Sequence, residues 1–267
     1  MKIIDLTQEH ENLYFCCLED WSEEMKEAGE HKACWFREMR DKGLRVKLAT
    51  DDNGTIGGMI QYVPIEHSHF EGSNLYVVLC IWVHGHKSGR GNFQKKGMGK
   101  ALIQAAEEDV KALGSKGMVA WGLALPFFMR ASWFKKQGYQ VVDKESMERL
   151  LWKPFVSDAV PPKFIGKKKT PAKTPGKVTV SAFINGWCPA QNMAFERAKR
   201  AISNLEDKVI FNEYRTTNKD IQKEWGITDA LFIDDKEVRT GPPPTYKKLR
   251  KLIEKKARKI KTLPQNI

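Results

Sequence analysis

The feature that most constrains this chain is a glycine-bearing turn between an apolar run and an amphipathic segment. The turn is Gln94–Gly99, and the run before it, Leu75–Val83, is rich in β-branched and aromatic residues, which is typical of a buried strand. After the turn, apolar residues recur at helical spacing as far as Gly114, which predicts a left-handed helix stop. This strand–turn–helix order favours an α/β fold.

The turn has the chemistry of an anion-binding site. Gly97 and Gly99 place no side chain between backbone and ligand, and the first N–H groups of a helix have no partner within it. Lys95, Lys96 and Lys100 add positive charge near the positive end of the helix dipole. The spacing is neither GxGxxG nor GxxxxGK[ST]. We therefore predict phosphate or pyrophosphate binding, with an ordinary tight turn as the alternative.

Length and composition narrow the class of protein. A chain of 267 residues with 41% hydrophobic residues is long enough for two packed domains. It has no apolar run of transmembrane length and no signal peptide, so we expect no membrane association. Its five cysteines are an odd number without zinc-ligand spacing, which predicts no disulfide framework and no metal site. We expect a protein of the reducing cytoplasm, of unknown oligomeric state.

Positive charge is concentrated in the C-terminal part. Residues 159–267 hold 24 of the 45 Lys and Arg residues but 11 of the 33 Asp and Glu residues. Proline and lysine dominate residues 158–177, which is typical of an extended linker. We therefore predict domains at 1–157 and 178–267 with a basic linker at 158–177. Such a linker can bind nucleic acid, but lysine-rich linkers more often keep a chain in solution, so nucleic acid is not the favoured partner.

Hydrophobic periodicity and turn residues predict ten elements in the first domain. Its hairpin turn falls at Asp51–Gly54. The predicted strands and helices lie at Lys2–Asp5, Gln8–Glu27 (helix), Lys32–Lys42 (helix), Arg45–Ala49, Gly57–Pro64, Leu75–Val83, the helix from Gly97, Gly117–Ala124, Phe128–Gln137 (helix), and a last strand from Tyr139 through Val142 into Leu150–Trp152.

This order, together with the turn, resembles the GNAT acetyltransferase family. Gln94-Lys95-Lys96-Gly97-Met98-Gly99 fits that family's Q/R-x-x-G-x-G/A loop. The resemblance implies a mixed, splayed sheet with flanking helices, acetyl-CoA as cofactor, and an amine acceptor, either a small molecule or a peptide or protein. It places the pyrophosphate on Gln94–Gly99 and Lys100. It also places the pantetheine arm along the backbone of Ile81, Trp82 and Val83, where an amide would polarise the thioester carbonyl.

The chain departs from the family pattern in three places. A glycine-rich insertion, residues 85–93, separates the strand from the loop and is either a flap over the cofactor or a long surface loop. Phe134 occupies the position of the tyrosine that often protonates the leaving thiolate, and Phe127 that of an upstream asparagine. Because phenylalanine has no proton to give, the acid must be another residue or water.

The candidate general bases are residues near the ends of two predicted strands. His84 follows the predicted cofactor strand, and Glu66, His67 and His69 follow the strand before it. Histidine titrates near neutral pH, and a carboxylate can take an ammonium proton through water. The alternative is that 66–69 is an ordinary polar loop. Trp82 and Trp121 are expected in the core or in a pocket wall.

The C-terminal domain carries a distinctive cysteine. A predicted strand, Val178–Ile184, leads through Trp187-Cys188-Pro189 into a helix, followed by a strand at Lys208–Tyr214, a helix at Asn218–Trp225, a hairpin at Ala230–Arg239 and a basic helix from Thr245. This order resembles thioredoxin, and a thiol at a helix N-terminus is expected to have a lowered pKa. Gln191 stands where the second cysteine of CxxC would be, and Asp229 where thioredoxin has proline, so a dithiol cycle is not expected.

An acetyltransferase domain followed by such a smaller α/β domain resembles the YoaP-like group of bacteria. The leading hypothesis is an acetyl-CoA-dependent N-acetyltransferase, an acyltransferase whose second domain recognises substrate or responds to redox state. One alternative is a degenerate fold that binds coenzyme A as a sensor without turnover. Another is a monothiol module centred on Cys188, which otherwise is a structural thiol.

Overall fold

The protein forms two compact units along its chain. The structure, a computed structural model, describes residues 1–125, 128–205, 207–238 and 242–260. Unit 1 holds Met1–Ser22 and Phe36–Gly166, and unit 2 holds Glu23–Trp35 and the chain from Lys167 onward. The segment Glu23–Trp35 therefore groups with the C-terminal part of the chain, although it lies far from it in sequence.

A seven-stranded sheet in the order β1-β2-β3-β5-β6-β8-β7 forms the body of unit 1. Only β5 and β6 are parallel neighbours, and the other neighbouring pairs are antiparallel. β4 and β9 form a separate two-stranded ladder. The elements up to residue 166 are β1 (Lys2–Asp5), α1 (Glu11–Phe15), α2 (His31–Arg40), β2 (Arg45–Thr50), β3 (Ile56–Pro64), β4 (Phe70–Glu71), β5 (Leu75–Val83), α3 (Met98–Ala112), β6 (Gly117–Leu123), α4 (Ala131–Lys136), β7 (Gln140–Glu145), β8 (Glu148–Pro154) and β9 (Lys163–Phe164).

α3 provides the apolar stripe that packs on one face of this sheet. Its buried Leu102, Ile103, Ala106 and Val110 lie in one cluster with sheet residues that include Ile60, Val78, Ala120 and Leu151. Burying each large aliphatic side chain contributes about 1.5–3 kcal/mol before the entropy of ordering is subtracted. This packing fixes the N-terminus of α3 relative to the strands, which is what positions the site.

The local signals at the central turn are confirmed. Gly97 has a φ of 88° directly before α3, and Gly114 has a φ of 78° just after it. At Asp51–Gly54, Gly54 also has a positive φ, and an Asp51 carboxylate oxygen accepts hydrogen bonds from the N–H groups of Asn53 and Thr55.

Two predicted elements of unit 1 are wrong. The single helix expected over Gln8–Glu27 is replaced by α1, flanked by 3₁₀ turns at Gln8–His10 and Glu23–Ala28. Cys17 and Leu18 both have positive φ, and two left-handed residues in succession cannot continue an α-helix. The single last strand is in fact a hairpin, β7 and β8, which turns at the left-handed Ser146.

Unit 2 is a four-stranded sheet with three helices of its own. Its sheet order is β11-β10-β12-β13, with β10 parallel to β11 and antiparallel to β12. Asn218 and Thr245 cap their helices by accepting backbone hydrogen bonds, while Arg239 at the predicted hairpin end lies outside the described residues. The elements are β10 (Val178–Ile184), α5 (Pro189–Ala201), β11 (Val209–Arg215), α6 (Lys219–Trp225), β12 (Ala230–Ile233), β13 (Lys236–Glu237) and α7 (Tyr246–Ala257).

Helix length also bears on the expectation about membranes. Among the helices that the structure describes, none is both long enough and apolar enough to cross a bilayer. All five cysteines are free thiols.

Candidate functional site

The site in unit 1 begins where β5 and β6 diverge. Within the described strands, their parallel ladder runs from Leu75 opposite Gly117 to Val78 opposite Ala120 and then stops, although both strands continue. On the other side of β5, Gln61 pairs with Cys80 and Tyr62 with Val78, so Leu79 is an extra residue in a β-bulge. A bulge bends its strand and ends regular pairing, which explains the splay. The edge of β5 from Leu79 to Val83 thus faces a wedge rather than a strand.

An indole group closes the narrow end of this wedge. The Nε1–H of Trp121 donates to the backbone oxygen of Leu79 over 3.0 Å. The carbonyl that would have continued the ladder is therefore satisfied by a side chain, which keeps the strands apart without leaving that oxygen unpaired. Ile81, Trp82 and Val83 line the wider part of the wedge, and each is half-buried.

The loop at the wide end of the wedge presents backbone donors to solvent. Gly97 is the N-cap of α3 and has no side chain to accept a hydrogen bond, and the first intrahelical bond is from Ala101 N to Gly97 O. The N–H groups of Met98, Gly99 and Lys100 are those that helix geometry leaves free of intrahelical partners. A Cβ atom added to Gly97 would have no heavy atom within 4 Å, so the space above the turn is open.

The side chains of this loop divide into two groups. Gln94, Lys95, Lys96 and Lys100 are exposed, and Lys95 itself has a φ of 62°, which helps the loop to curl. Met98 is buried in the α3 core, so only its backbone can reach a ligand. At Gly99 an added Cβ would lie 3.3 Å from the ring of Trp133. Gly99 therefore serves close packing in addition to any contact with a ligand.

The insertion at 85–93 is held by side chains at several points. Phe93 is buried in the core of unit 1 against Gly57, where an added Cβ would come within 2.3 Å of the ring. Arg90 donates to the backbone oxygen of Ile56 over 3.0 Å and pairs with Asp20. These contacts describe a loop fastened to the sheet and not an unanchored flap.

His84 also helps to hold the insertion at 85–93 in place. It is fully buried, its Nε2 accepts a hydrogen bond from the Trp21 indole over 3.0 Å, and its Nδ1 lies 2.6 Å from the backbone oxygen of Gly91. An indole can only donate and a carbonyl can only accept, so the ring is neutral with its proton on Nδ1. In this arrangement neither nitrogen has a lone pair available for a substrate proton.

Aromatic side chains gather where strand alternation points away from α3. Met118 and Ala120 lie in the α3 core, so alternation along β6 directs the Cβ of Trp121 to the opposite face, although its side chain also packs against that core. There the Phe128 ring lies 6.1 Å from the Trp82 ring and 6.2 Å from the Trp121 ring, between centroids. His69 lies 6.5 Å from Trp121. Sequence reasoning named the tryptophans but not Phe128, which only the turn after β6 brings to them.

A carboxyl group lies on this same face. Glu148 is opposite Leu123 in the antiparallel β6–β8 ladder, one diagonal step from Trp121. Burial, and secondarily the nearby Glu145, raises the pKa of Glu148. Sequence reasoning missed this residue too, because the signal is its register in a hairpin that was predicted as one strand.

Comparison with known proteins adds the family. A family model described as Acetyltransferase (GNAT) family matches residues 6–139, which is half of the chain. The chain belongs to the GNAT acetyltransferase family. A search of curated proteins found no match.

Several solved GNAT structures are similar to this chain at low identity. One is an aminoglycoside 6'-acetyltransferase type Ii, 15% identical over 58% of this chain and 98% of the other, with a TM-score of 0.43. Another is the PaiA N-acetyltransferase from Thermoplasma acidophilum in complex with coenzyme A, 19% identical over 58% of this chain and 100% of the other, with a TM-score of 0.39. A third is a GNAT acetyltransferase from Brucella melitensis in complex with acetyl-CoA, 15% identical over 61% and 94%, with a TM-score of 0.41.

Two kinds of predicted position remain to be located in this GNAT chain: those where it departs from the family pattern, and the candidate base Glu66. Phe134 is fully buried in α4 between Trp133 and Tyr139, so no proton donor reaches the wedge from that position. Phe127 lies outside the described residues. Glu66 is exposed in a 3₁₀ turn after β3, where a carboxylate oxygen accepts a hydrogen bond from Asn74 N over 3.2 Å. The structure thus does not gather Glu66 and His84 into one hydrogen-bonded group.

Unit 2 places its cysteine as the sequence predicted. Cys188 is the N-cap residue of α5, is half-buried, and is followed by Pro189 at the first helical position. Three residues earlier, Asn185 N donates to a carboxylate oxygen of Asp229 over 2.9 Å. Burial raises the pKa of Asp229 to about 7, although this hydrogen bond acts in the opposite direction.

The segment Glu23–Trp35 is fastened to the same helix of unit 2. Glu27 pairs with the buried Arg197, which holds the pKa of that carboxyl below its usual range, and His31 Nε2 lies 2.7 Å from Glu196 Oε1. The left-handed Gly186 packs so closely that an added Cβ would lie 3.2 Å from Trp35. The described residues contain no cluster of three or more His, Cys, Asp or Glu side chains placed to hold a metal ion.

Proposed function

We propose that this chain is an acetyl-CoA-dependent N-acetyltransferase that acts on an amine. The observation that carries the proposal is the open edge of β5, which leads from a bulge at Leu79 to the helix N-terminus at Gly97. A ligand with a peptide-like arm and a pyrophosphate fits both parts, because the arm can pair with a free strand edge and the pyrophosphate can accept backbone N–H groups. Membership of the GNAT family supports this assignment.

The binding roles follow from the geometry of the loop and the strand. Gly97, Met98, Gly99 and Lys100 would offer backbone N–H groups to the pyrophosphate, while Gln94, Lys95 and Lys96 would add side-chain donors and positive charge. The backbone of Ile81, Trp82 and Val83 would hold the pantetheine arm. When bound, the cofactor supplies an acetyl thioester, and a β5 amide would stabilise negative charge on its carbonyl oxygen.

Proton transfer is the least constrained part of the proposal. Among the predicted bases, Glu66 accepts a hydrogen bond from Asn74 N just before β5, several residues before the wedge, and His84 would first have to release Trp21. The leaving sulfur would take its proton from water or from the attacking amine nitrogen, which becomes positively charged as it bonds to the acetyl carbon, because Phe134 has none to give. We therefore propose Glu66 and His84 as alternative general bases, each of which needs a rearrangement to reach the amine, and no side-chain acid at Phe134.

The test combines a binding measurement with turnover. Calorimetry on the full chain should show that coenzyme A binds at least about tenfold more tightly than pantetheine, which lacks the pyrophosphate, since each charge-assisted hydrogen bond contributes about 1.5–3 kcal/mol. Incubation with acetyl-CoA and a panel of amines should then release free thiol. Equal binding of coenzyme A and pantetheine would contradict the pyrophosphate assignment.

A second function is favoured by one observation, the buried Phe134. A chain that binds coenzyme A without an acid at that position would act as a sensor. The same two measurements separate the functions, because a sensor binds coenzyme A but releases no thiol beyond the rate without protein.

For unit 2 we propose a thioredoxin-like module of the YoaP-like type. The parallel β10–β11 pair, the antiparallel β12–β13 hairpin and the cysteine at the start of α5 support this proposal. We also propose that the chain has domains at 1–157 and 178–267 joined by the basic segment 158–177, with Glu23–Trp35 grouped with the second domain. Within this module Cys188 would act as a single reactive thiol in substrate recognition or in a response to redox state.

A further inference from the structure

The face of the wedge turned away from α3 has the chemistry of a binding site for one kind of amine. Trp82 comes from β5 and Trp121 from β6, and the Phe128 ring, which follows β6 in the chain, lies 6.1 and 6.2 Å from theirs between centroids. Phe128 remains 39% exposed. At these separations Phe128 packs against both tryptophans, and its exposed part leaves a surface on which a ligand ring can make a further edge or offset contact.

Trp82 adds a polar feature to this aromatic surface. Its indole Nε1 is buried, and the described residues provide no hydrogen-bond partner for it. A buried donor without a partner costs about 1–3 kcal/mol, and the face of a ligand ring, which accepts weakly from an N–H group, would offset part of that cost. Trp82 belongs to the β5 edge that we assign to the cofactor. The amine substrate has to approach the cofactor at this edge.

Glu148 supplies the complementary charge. It lies on the face of Trp121, and diagonal neighbours across an antiparallel ladder have Cβ atoms about 7–8 Å apart. The carboxyl is half-buried, and among the described residues no Lys, Arg or His forms an ion pair with it; the neighbouring Arg149 donates to the backbone oxygen of Glu148 and not to its carboxylate. A half-buried carboxylate that lacks a cation is suited to an ammonium ligand.

We propose that the acceptor is an arylalkylamine, a primary amine on a short alkyl chain attached to an aromatic ring. The ring lies among Trp82, Trp121 and Phe128, and the ammonium points to Glu148. This inference rests on the proposed acetyltransferase function and specifies its acceptor. In the overall transfer the amine nitrogen forms a C–N bond with the acetyl carbon as the C–S bond breaks. Of the two protons that the ammonium loses, one leaves to water and one ends on the sulfur.

The test uses the full chain saturated with coenzyme A or acetyl-CoA, and phenethylamine and n-butylamine as probes. Calorimetry in the presence of coenzyme A should show phenethylamine bound, and 2-phenylethanol, which lacks the ammonium, bound about tenfold more weakly. With acetyl-CoA, kcat/KM for phenethylamine should exceed that for n-butylamine about tenfold. Phe128→Ala should reduce this preference about 3- to 10-fold, in line with the strength of aromatic pairs.

Two variants complete the test. Glu148→Gln should weaken phenethylamine about tenfold and leave 2-phenylethanol unchanged, which a merely structural role would not do. Leu113→Ala, at an exposed apolar position at the far end of α3, is the control and should match the wild type. If acetyl-CoA binds and n-butylamine is used as well as phenethylamine, or if Phe128→Ala changes nothing, the acceptor assignment is wrong while the acetyltransferase stands. If coenzyme A does not bind at all, the proposed function itself fails, and this inference fails with it.

Discussion

Each unit contains a strand followed by a helix, and the two strand–helix junctions differ in the N-cap residue of the helix and in its surroundings. In unit 1 the N-cap of α3 is Gly97, surrounded by exposed lysines and open space. In unit 2 the N-cap of α5 is Cys188, preceded by the buried Trp187 and followed by proline. Neither N-cap side chain accepts a hydrogen bond from its helix.

This difference shows that a helix N-terminus does not by itself determine which group binds there. Both helices carry the same partial positive charge at their first turn. In unit 1 the missing side chain leaves the backbone open, whereas in unit 2 the N-cap residue is a half-buried cysteine of the chain itself. A neighbouring carboxyl, Asp229, also accepts a backbone N–H at the second junction, from Asn185. Three predictions examine the contrast.

The largest expected effect concerns Asp229 and pH. Its pKa is about 7 in the folded protein, against an ordinary value of 3.8, so folding favours the protonated form. The resulting stability is complete below about pH 4 and is lost as the pH rises through about 7. A shift of this size corresponds to at most about 4 kcal/mol. Hydrogen exchange of β10 amides should therefore speed up between pH 4 and 7 after correction for the intrinsic rate.

Asp229→Asn is the matched variant, because an amide resembles the neutral acid and can still accept from Asn185 N. It should remove most of this pH dependence and be more stable than the wild type at pH 8. Asp235→Asn serves as control, since Asp235 is exposed and Lys173 lowers the pKa of its carboxyl. A wild-type profile that is flat from pH 4 to 8 would refute the burial of a neutral Asp229.

The second prediction compares two glycines at opposite ends of α3. Gly97 and Gly114 have φ values of 88° and 78°, and a Cβ at either would meet no atom within 4 Å. Gly97→Ala and Gly114→Ala should thus cost similar stability, about 1–2 kcal/mol for a left-handed alanine. Only Gly97→Ala should weaken coenzyme A, by about tenfold or more, because its methyl group enters the space where the pyrophosphate would lie. Calorimetry and thermal unfolding measure both quantities.

Gly99 is a less clean probe of the same loop. A Cβ there would lie 3.3 Å from Trp133, so a substitution changes packing as well as access. Should the Gly97 and Gly114 variants lose coenzyme A affinity equally, the loss would come from α3 as a whole, and the first junction would not be the anion site.

The contrast between the units also shows how far sequence reasoning reaches. Signals carried by a few adjacent residues predict the structure correctly: strand β5 at Leu75–Val83, the left-handed helix stop at Gly114, and the start of a helix at Thr245. Each depends on local backbone preference or on short-range periodicity. The wedge itself was expected only by family resemblance.

The remaining features depend on contacts between distant residues. The Glu27–Arg197 pair joins residues 170 apart in sequence, and no local pattern announces that Glu23–Trp35 packs on α5. The bulge at Leu79 appears only in the register against β3, and the Trp121 bond to Leu79 only once the strands diverge. His84 satisfied the sequence criteria for a base, yet its two ring nitrogens fasten a loop.

The smallest expected effect concerns Cys188. The dipole of α5 favours a thiolate at the N-cap by about 0.3–1 kcal/mol, while burial beside Trp187 acts in the opposite direction and Pro189 removes one N–H donor. If the dipole prevails, the alkylation rate of Cys188 should reach its midpoint at a lower pH than that of an unstructured cysteine peptide. Mass spectrometry after brief iodoacetamide treatment across a pH series measures this midpoint independently of how accessible the sulfur is.

Comparison within the chain sharpens this last measurement. Near neutral pH, Cys188 should label faster than Cys16, Cys17, Cys34 and Cys80, of which Cys34 is the exposed reference and Cys80 the buried one. Small disulfides should give a mixed disulfide at Cys188, since Gln191 provides no second thiol. Cys188→Ser should leave acetyl transfer to a small amine unchanged, because the wedge and the Gly97 loop belong to unit 1. A midpoint equal to or above that of the free peptide would mean that burial outweighs the dipole, and the second junction would then hold a structural thiol.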